Sequence, residues 1–220
     1  KEVCENLLKQ MPDVAFYHQM FHPNFTNWMA FYWKGFEQTT RYTYIINYNP
    51  NIDAIFDAFK SNLKWDIRKA EKSISISTSE NVEQLYKLKK QDYNIKNIPL
   101  NVPFEKVNKL YEYCKSNNCG ELLTATDDKA NIHAMMLLVW DEHTAYYLFS
   151  ATNHTFKTSG AMSLLIWEAI KKMNDLGKNF NFEGSMIKSI EKHFRGFGGI
   201  QTPYFSIKKT NSSLFKLLNR

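Results

Sequence analysis

Residues 159–199, SGAMSLLIWEAIKKMNDLGKNFNFEGSMIKSIEKHFRGFGG, constrain the fold more than any other part of the chain. They read as a helix, a buried strand and a second, basic helix that ends in a glycine corner. Ser159 is of the type that caps helix N-termini, and Met162, Leu165, Ile166, Ala169, Met173 and Leu176 recur on one helical face. Gly177 follows the last apolar turn, where a left-handed residue closes a helix. Asn179 to Phe182 is short and apolar, as an inner strand is, and it leaves Glu183 and Gly184 at its C-terminal end, the side on which open α/β sheets bind ligands. The spacing of Met186, Ile187, Ile190 and Phe194 predicts the inner face of the next helix, with Lys188, Lys192 and Arg195 placing positive charge on another. The unit is expected to form one wall of a binding cleft.

The preceding chain supplies the partners of that wall. Residues 2–11 and 80–93 carry helical periodicity, as do Phe104 to Cys114, while residues 51–72 predict one long amphipathic helix with Lys60, Lys64, Arg68 and Lys72 along a flank. Val14 to Phe21, Thr39 to Tyr48 and Ile74 to Ser77 read as strands, and residues 94–103, with two prolines, as a loop. Glu121 to Thr126, Ile132 to Trp140 and Thr144 to Ser150, joined by short polar turns, predict an antiparallel meander. A last strand at Tyr204 to Lys208 and a short C-terminal helix follow. The aromatic cluster of residues 25–36 suits core packing first and base or sugar stacking second.

The expected fold class is therefore α+β, a mixed and mostly antiparallel sheet flanked by helices. At 220 residues, with 44% hydrophobic and 15% aromatic residues, the chain can bury a substantial core and is not disordered. It holds no apolar run of the length that spans a membrane and no signal-like opening, so a cytoplasmic location without integral membrane association is expected. Cys4, Cys114 and Cys119 match neither a disulfide framework nor a zinc pattern. His18 and His22 share a strand face without a third ligand, so no metal site is expected. The net charge of +6 favours anionic partners, and no Ser/His/Asp or Cys/His nucleophile pattern stands out.

Three segments resemble the GNAT superfamily of acyltransferases, and within it the Fem-type branch that includes peptidoglycan-bridge aminoacyltransferases: Arg68-Lys69-Ala70-Glu71-Lys72, Thr158 to Leu165, and Asn181-Phe182-Glu183-Gly184-Ser185 followed by Phe194-Arg195-Gly196-Phe197-Gly198-Gly199. Fem-type proteins usually carry two GNAT-like halves. On that resemblance residues 1–79 are the remnant of a first half with its connecting helix, and residues 80–220 a complete GNAT-like domain.

The resemblance implies transfer of an acyl group, acetyl or aminoacyl, from an activated donor to an amine, and it assigns expected roles. Lys157, Ser159, Gly160 and Ala161 stand where family members hold the pyrophosphate of acetyl-CoA against a helix N-terminus. The family's glycine-rich loop is reduced here to Gly160 with Lys157, and the Fem branch uses aminoacyl-tRNA instead, so both are candidate donors. The acceptor is a small-molecule or cell-wall-precursor amine. Glu183 is the expected general base. Arg195 takes the slot of a Fem-branch lysine as an anion clamp, since arginine keeps the charge but not the proton-transfer ability. His154 and Lys192 are expected substrate contacts. The alternatives are an inactive GNAT-like fold that binds a ligand or partner, and a basic RNA-binding module.

Overall fold

The structure, a computed structural model, describes residues 2–211. The alternating, β-branched and aromatic runs become eight strands: β1 (Phe16–Met20), β2 (Glu37–Ile46), β3 (Ser75–Ser79), β4 (Gly120–Thr126), β5 (Ile132–Trp140), β6 (Thr144–Thr152), β7 (Asn179–Asn181) and β8 (Ile200–Thr210). Among the described residues the helices are α1 (Glu2–Lys9), α2 (Met29–Tyr32), α3 (Ile52–Asp57), α4 (Ser61–Ala70), α5 (Val82–Ile95), α6 (Phe104–Ser116), α7 (Ala161–Asp175) and α8 (Lys188–Arg195). The strands make one sheet in the order β1-β8-β2-β7-β6-β5-β4-β3, antiparallel throughout except for β6 and β7. That single parallel pair follows from connectivity, because β6 leads through α7 before returning as β7, and a parallel return needs such a crossover. The expected α+β class and the β4–β5–β6 meander are both present. The expected boundary at 79/80 falls between β3 and α5, and strands from both sides of it share the sheet.

Two cores lie on the two faces of the sheet. On one, α7 presents Leu165, Ile166, Ala169 and Met173, all fully buried, against Ile67 and Ala70 of α4 and against Met136, Leu138, Phe180 and Phe182. On the other, Leu85 and Leu88 of α5 and Val107 and Tyr111 of α6 cover Leu122, Met135, Leu137 and Ala151. A third cluster, Phe31, Phe36 and Ile207 with Phe21, Phe25 and Trp28 around them, absorbs much of the aromatic run as core. Tyr32 of that run stays exposed.

Three expectations are corrected. Residues 51–72 form two helices, not one. The Lys60 N–H leaves the helical ladder to donate to the Gly196 carbonyl at 2.9 Å. Gly198, at φ 70°, approaches so closely that a Cβ there would lie 2.6 Å from the Ala58 carbonyl oxygen. A long-range contact therefore breaks a locally continuous pattern. Met186 and Ile187 do not belong to an inner helix face, and both are exposed. Glu183 and Gly184 take consecutive left-handed conformations, φ 57° and 72°, and lead the chain outward before α8 begins at Lys188, so Phe194 is the one fully buried residue of that helix. The closing strand β8 is also longer than expected, pairing with both β1 and β2. The expected C-terminal helix lies outside the described residues.

Candidate active site

The site begins where two strands part. β6 and β7 pair only from Thr144 opposite Asn179 to Tyr146 opposite Asn181, after which β7 ends and β6 runs on to Thr152. From Tyr147 onward β6 has no strand on its β7 side, and Tyr147, Leu148 and Ser150 to Thr152 line a cleft there. A bulge adds to the divergence. Leu137 of β5 opposes Phe149 and Leu138 opposes Tyr147, leaving Leu148 as the extra residue. Ala145 and Tyr147 consequently join the α7-side core, whereas Phe149 and Ala151 join the α5/α6-side core.

The gap opens into a cleft of ≈ 800 Å³. One end is the start of α7. Gly160 occupies the N-cap in a left-handed conformation, φ 77°, and a Cβ on it would lie 2.5 Å from the Asp66 carbonyl oxygen, so no other residue fits without displacing α4. The expected N-cap, Ser159, sits one residue earlier, where its Oγ accepts from the Ala161 N–H at 3.3 Å. The first intrahelical acceptance is Gly160 O from Leu164 N–H, so the Met162 and Ser163 amides have no helical partner while their residues line the cleft. Lys157 and His154 line the same end, and Lys89 of α5 and Lys96, the residue that caps α5 and pairs with Asp92, line the adjoining wall. Lys89 donates to the Ser150 carbonyl at 2.8 Å, and burial lowers its ammonium pKa. Helix amides and cations make this end a seat for anionic groups.

The other end is Glu183. Its backbone N–H donates to the Asn181 side-chain oxygen, which also accepts from the Thr43 hydroxyl at 2.7 Å, so the strand end is pinned from β2. Solvent reaches the Glu183 carboxyl, yet protein surrounds it closely enough that burial raises its pKa above the usual glutamate value. Glu183 and Leu148 also line a second cavity of ≈ 380 Å³, with Phe21, His22, Thr43, Tyr146, Asn181 and Tyr204. Asn181 and Tyr146 alternate with the α7-side residues Phe180, Phe182 and Tyr147, so this cavity opens on the opposite face of the sheet. Where β6 and β7 part, the two clefts thus share Leu148 and Glu183 as lining.

The model of the acetyltransferase (GNAT) domain matches residues 58–182, more than half of the chain. The chain belongs to that family. No curated protein matches it in sequence. Among solved structures it is similar to FemX, with 14% identity and a TM-score of 0.67 over 100% of this chain and 71% of that one. It is also similar to L-PGS from Bacillus licheniformis (11% identity, TM-score 0.57, 87% of this chain and 67% of that one). A third likeness is to the C-terminal domain of a putative lysylphosphatidylglycerol synthetase from Agrobacterium fabrum (11%, 0.56, 87% and 67%). At these identities the likeness is one of fold, and the fold is the Fem-like form of the GNAT domain.

Within this GNAT domain the cleft gathers six of the eight residues singled out from the sequence: His154, Lys157, Ser159, Gly160, Ala161 and Glu183. Arg195 and Lys192 do not line it. Arg195 is exposed and its Nε donates to Glu191 Oε1 at 2.9 Å, while that same oxygen accepts from the Tyr44 hydroxyl at 2.6 Å. Sequence reasoning missed His193, which lines the cleft from α8 with its ring edge-on to Phe197. Burial lowers its pKa, with Asp66 acting in the opposite direction. It also missed Tyr147, whose hydroxyl accepts from Ser150, donates to Met162 Sδ at 3.5 Å and is pushed up by burial to about 12. A helical spacing of four between Ile190 and Phe194 was the available signal for His193, since it puts residue 193 on the neighbouring face. Nothing in the sequence marks Leu148. Among the described residues no group could hold a metal ion, and no helix is long and apolar enough to cross a membrane.

Proposed function

We propose that the chain is an N-acyltransferase, moving an acyl group from a phosphate-bearing activated carrier to an amine. The observation that carries this reading is that one cleft holds both the anion seat at α7 and Glu183, and that Glu183 and Leu148 also line the second cavity. A donor lying along this cleft presents its phosphates to the Met162 and Ser163 amides and Lys157, and its acyl carbonyl to the gap at Leu148. Acetyl-CoA, which GNAT domains commonly bind, fits that seat as a carrier with a pyrophosphate. The terminal phosphates of an aminoacyl-tRNA fit the same chemistry, and the names of the Fem and lysylphosphatidylglycerol synthetase neighbours support it.

The acceptor amine enters from the opposite face, through the cavity of Phe21, Tyr146 and Tyr204. Its nitrogen attacks the acyl carbonyl, its proton passes to Glu183, and the carrier's sulfur or oxygen leaves with the electron pair of the broken bond. A raised glutamate pKa suits a base working near neutrality. Backbone amides on the free side of β6 between Tyr147 and Thr152 are the donors for the developing oxyanion. His193, at the cleft wall with its pKa lowered by burial, offers a hydrogen bond to the departing group. Glu191, which accepts from Tyr44 of β2, links α8 to that strand, and Arg195, paired with Glu191 within the helix, acts by positioning it.

Calorimetric titration of the chain with CoA, acetyl-CoA and an aminoacyl-tRNA at two salt concentrations tests the reading. Saturable binding of CoA and acetyl-CoA, lost in Gly160→Asp, identifies the thioester carrier. Binding of the charged tRNA alone identifies the ester carrier. Binding of neither, or binding that Gly160→Asp leaves unchanged, overturns the proposal in favour of an idle GNAT-like fold.

A further inference from the structure

Cys114 and Cys119 lie outside both clefts, yet the way α6 ends brings them together. Asn118 takes a left-handed φ of 52°, its N–H donates to the Lys115 carbonyl at 3.3 Å, and the Cys119 N–H donates to the Cys114 carbonyl at 2.9 Å. This helix closure sets the third-last helical residue beside the second residue past the cap, and those two side chains meet. Here both are thiols. One hydrogen bond and the covalent bonds on either side of it keep the two Cα atoms within about 7 Å, the reach of a disulfide. The closure turns the two thiols toward each other, and burial first, then Cys119, push the Cys114 thiol up to about 11.

The surroundings favour this pairing over others. A Cβ on Gly120, the first residue of β4, would lie 2.7 Å from Cys114 Cβ, so the Cys114 side chain is lodged over the strand's start. Cys119 is held from the other side, its carbonyl accepting from the Trp140 N–H at 2.8 Å. Cys114 is buried and Cys119 partly exposed, and both are free.

We propose that Cys114 and Cys119 are a redox-active dithiol that closes into an intramolecular disulfide by exchange with a low-molecular-weight disulfide. Cys119, the accessible partner, attacks one sulfur of the oxidant as its thiolate, forming a mixed disulfide and releasing one thiol. The Cys114 sulfur then attacks the Cys119 sulfur, the protein S–S bond forms, and the second thiol leaves. Two electrons and two protons pass from the protein to the oxidant. The product is a covalent staple between the end of α6 and the start of β4.

The test exposes the reduced, native chain to oxidised glutathione, quenches with acid, and maps thiols by alkylation and mass spectrometry. The chain has three cysteines, so the expected product has one alkylated thiol, Cys4, a linked 114–119 peptide, and a mass lower by about 2 Da. Cys114→Ser is expected to stop at glutathione-bound Cys119. Three free thiols, a mixed disulfide on Cys119 that persists in the natural chain, or links through Cys4 would each overturn the proposal. The mapping of the natural chain decides even if the variant does not fold.

Discussion

Leu148 and Glu183 each line both clefts, at the one place where the strands of the sheet part. Leu148 belongs to a bulge and Glu183 to a left-handed turn, so main-chain irregularities on two neighbouring strands bound the same passage. On the proposed function, this is where a donor on the α7 face and an acceptor on the other would meet.

Glu183→Gln separates chemistry from folding. Turnover is expected to fall by about 10²- to 10⁴-fold, the range that a positioned base supplies. If Glu183 is the base, activity of the natural chain is expected to be lost as pH falls through its raised pKa, because the base works deprotonated. Stability moves the other way. A carboxyl raised by folding stabilises the native state only while it is protonated, and that contribution is lost as pH rises through the folded pKa. The glutamine variant is therefore expected to melt higher than the natural chain at neutral pH, with the gain vanishing in acid. Paired pH profiles of initial rate and Tm check both statements, and equal loss of rate and Tm would refute them.

Gly160→Ala tests the anion seat. The left-handed conformation and the Asp66 carbonyl at 2.5 Å from the new Cβ predict a loss of at least about 2 kcal/mol, read by urea denaturation. An alanine variant as stable as the natural chain would mean that α4 yields easily.

Lys157→Ala and Arg195→Ala distinguish a cleft residue from a positioning one. Loss of a charged phosphate contact at Lys157 is expected to weaken donor binding about tenfold, with a smaller salt dependence. Arg195 is exposed and paired with Glu191, so its removal is expected to change donor affinity by less than about threefold. Titration of the two variants side by side checks the contrast, and a larger effect at Arg195 would place the anion seat elsewhere.

Asp127 supports the loop before the seat from a distance. Its carboxylate accepts from the Asn131 side chain and N–H, from the Lys129 N–H and from His133, and these bonds, the Asn131 side chain first, hold its pKa down to about 2. A depressed carboxyl stabilises the fold above its unfolded pKa and loses that contribution as pH falls through the folded value. The stability difference between the natural chain and Asp127→Asn is therefore expected to be constant above about pH 5 and to shrink between about pH 4 and 2. His133, which binds Asp127, stacks on Phe156 with ring centroids 4.0 Å apart, so the variant also reports on the approach to Lys157.

What could be read from residues alone was whatever repeats locally. The α7 face, the Gly177 stop, the meander and the Glu183 strand end are all short-range patterns, and each is where it was expected, except that Leu176, the last residue of the expected face, caps the helix and is exposed. The break between α3 and α4 was not legible, because it is made by Gly196 and Gly198 more than a hundred residues later. Met186 and Ile187 have helical spacing but follow two left-handed residues, and only the second of these was a glycine to warn of it. Of the site, the anion-seat residues and Glu183 share one cleft because they flank one crossover. The gap that joins them depends on where β7 stops pairing, and no single residue encodes that.

The extra residue in β6 works like an inserted letter in a message read two at a time. Before Leu148 the odd-numbered side chains belong to the α7 core, and after it they belong to the α5/α6 core. Deleting Leu148 therefore leaves Phe149 as the regular successor of Tyr147, still opposite Leu137, and Phe149 and Ala151 keep their layer; a strand made regular with Leu148 retained would instead move them into the opposite one. One strand serves both cores because its alternation changes phase once, at the point where the two clefts meet.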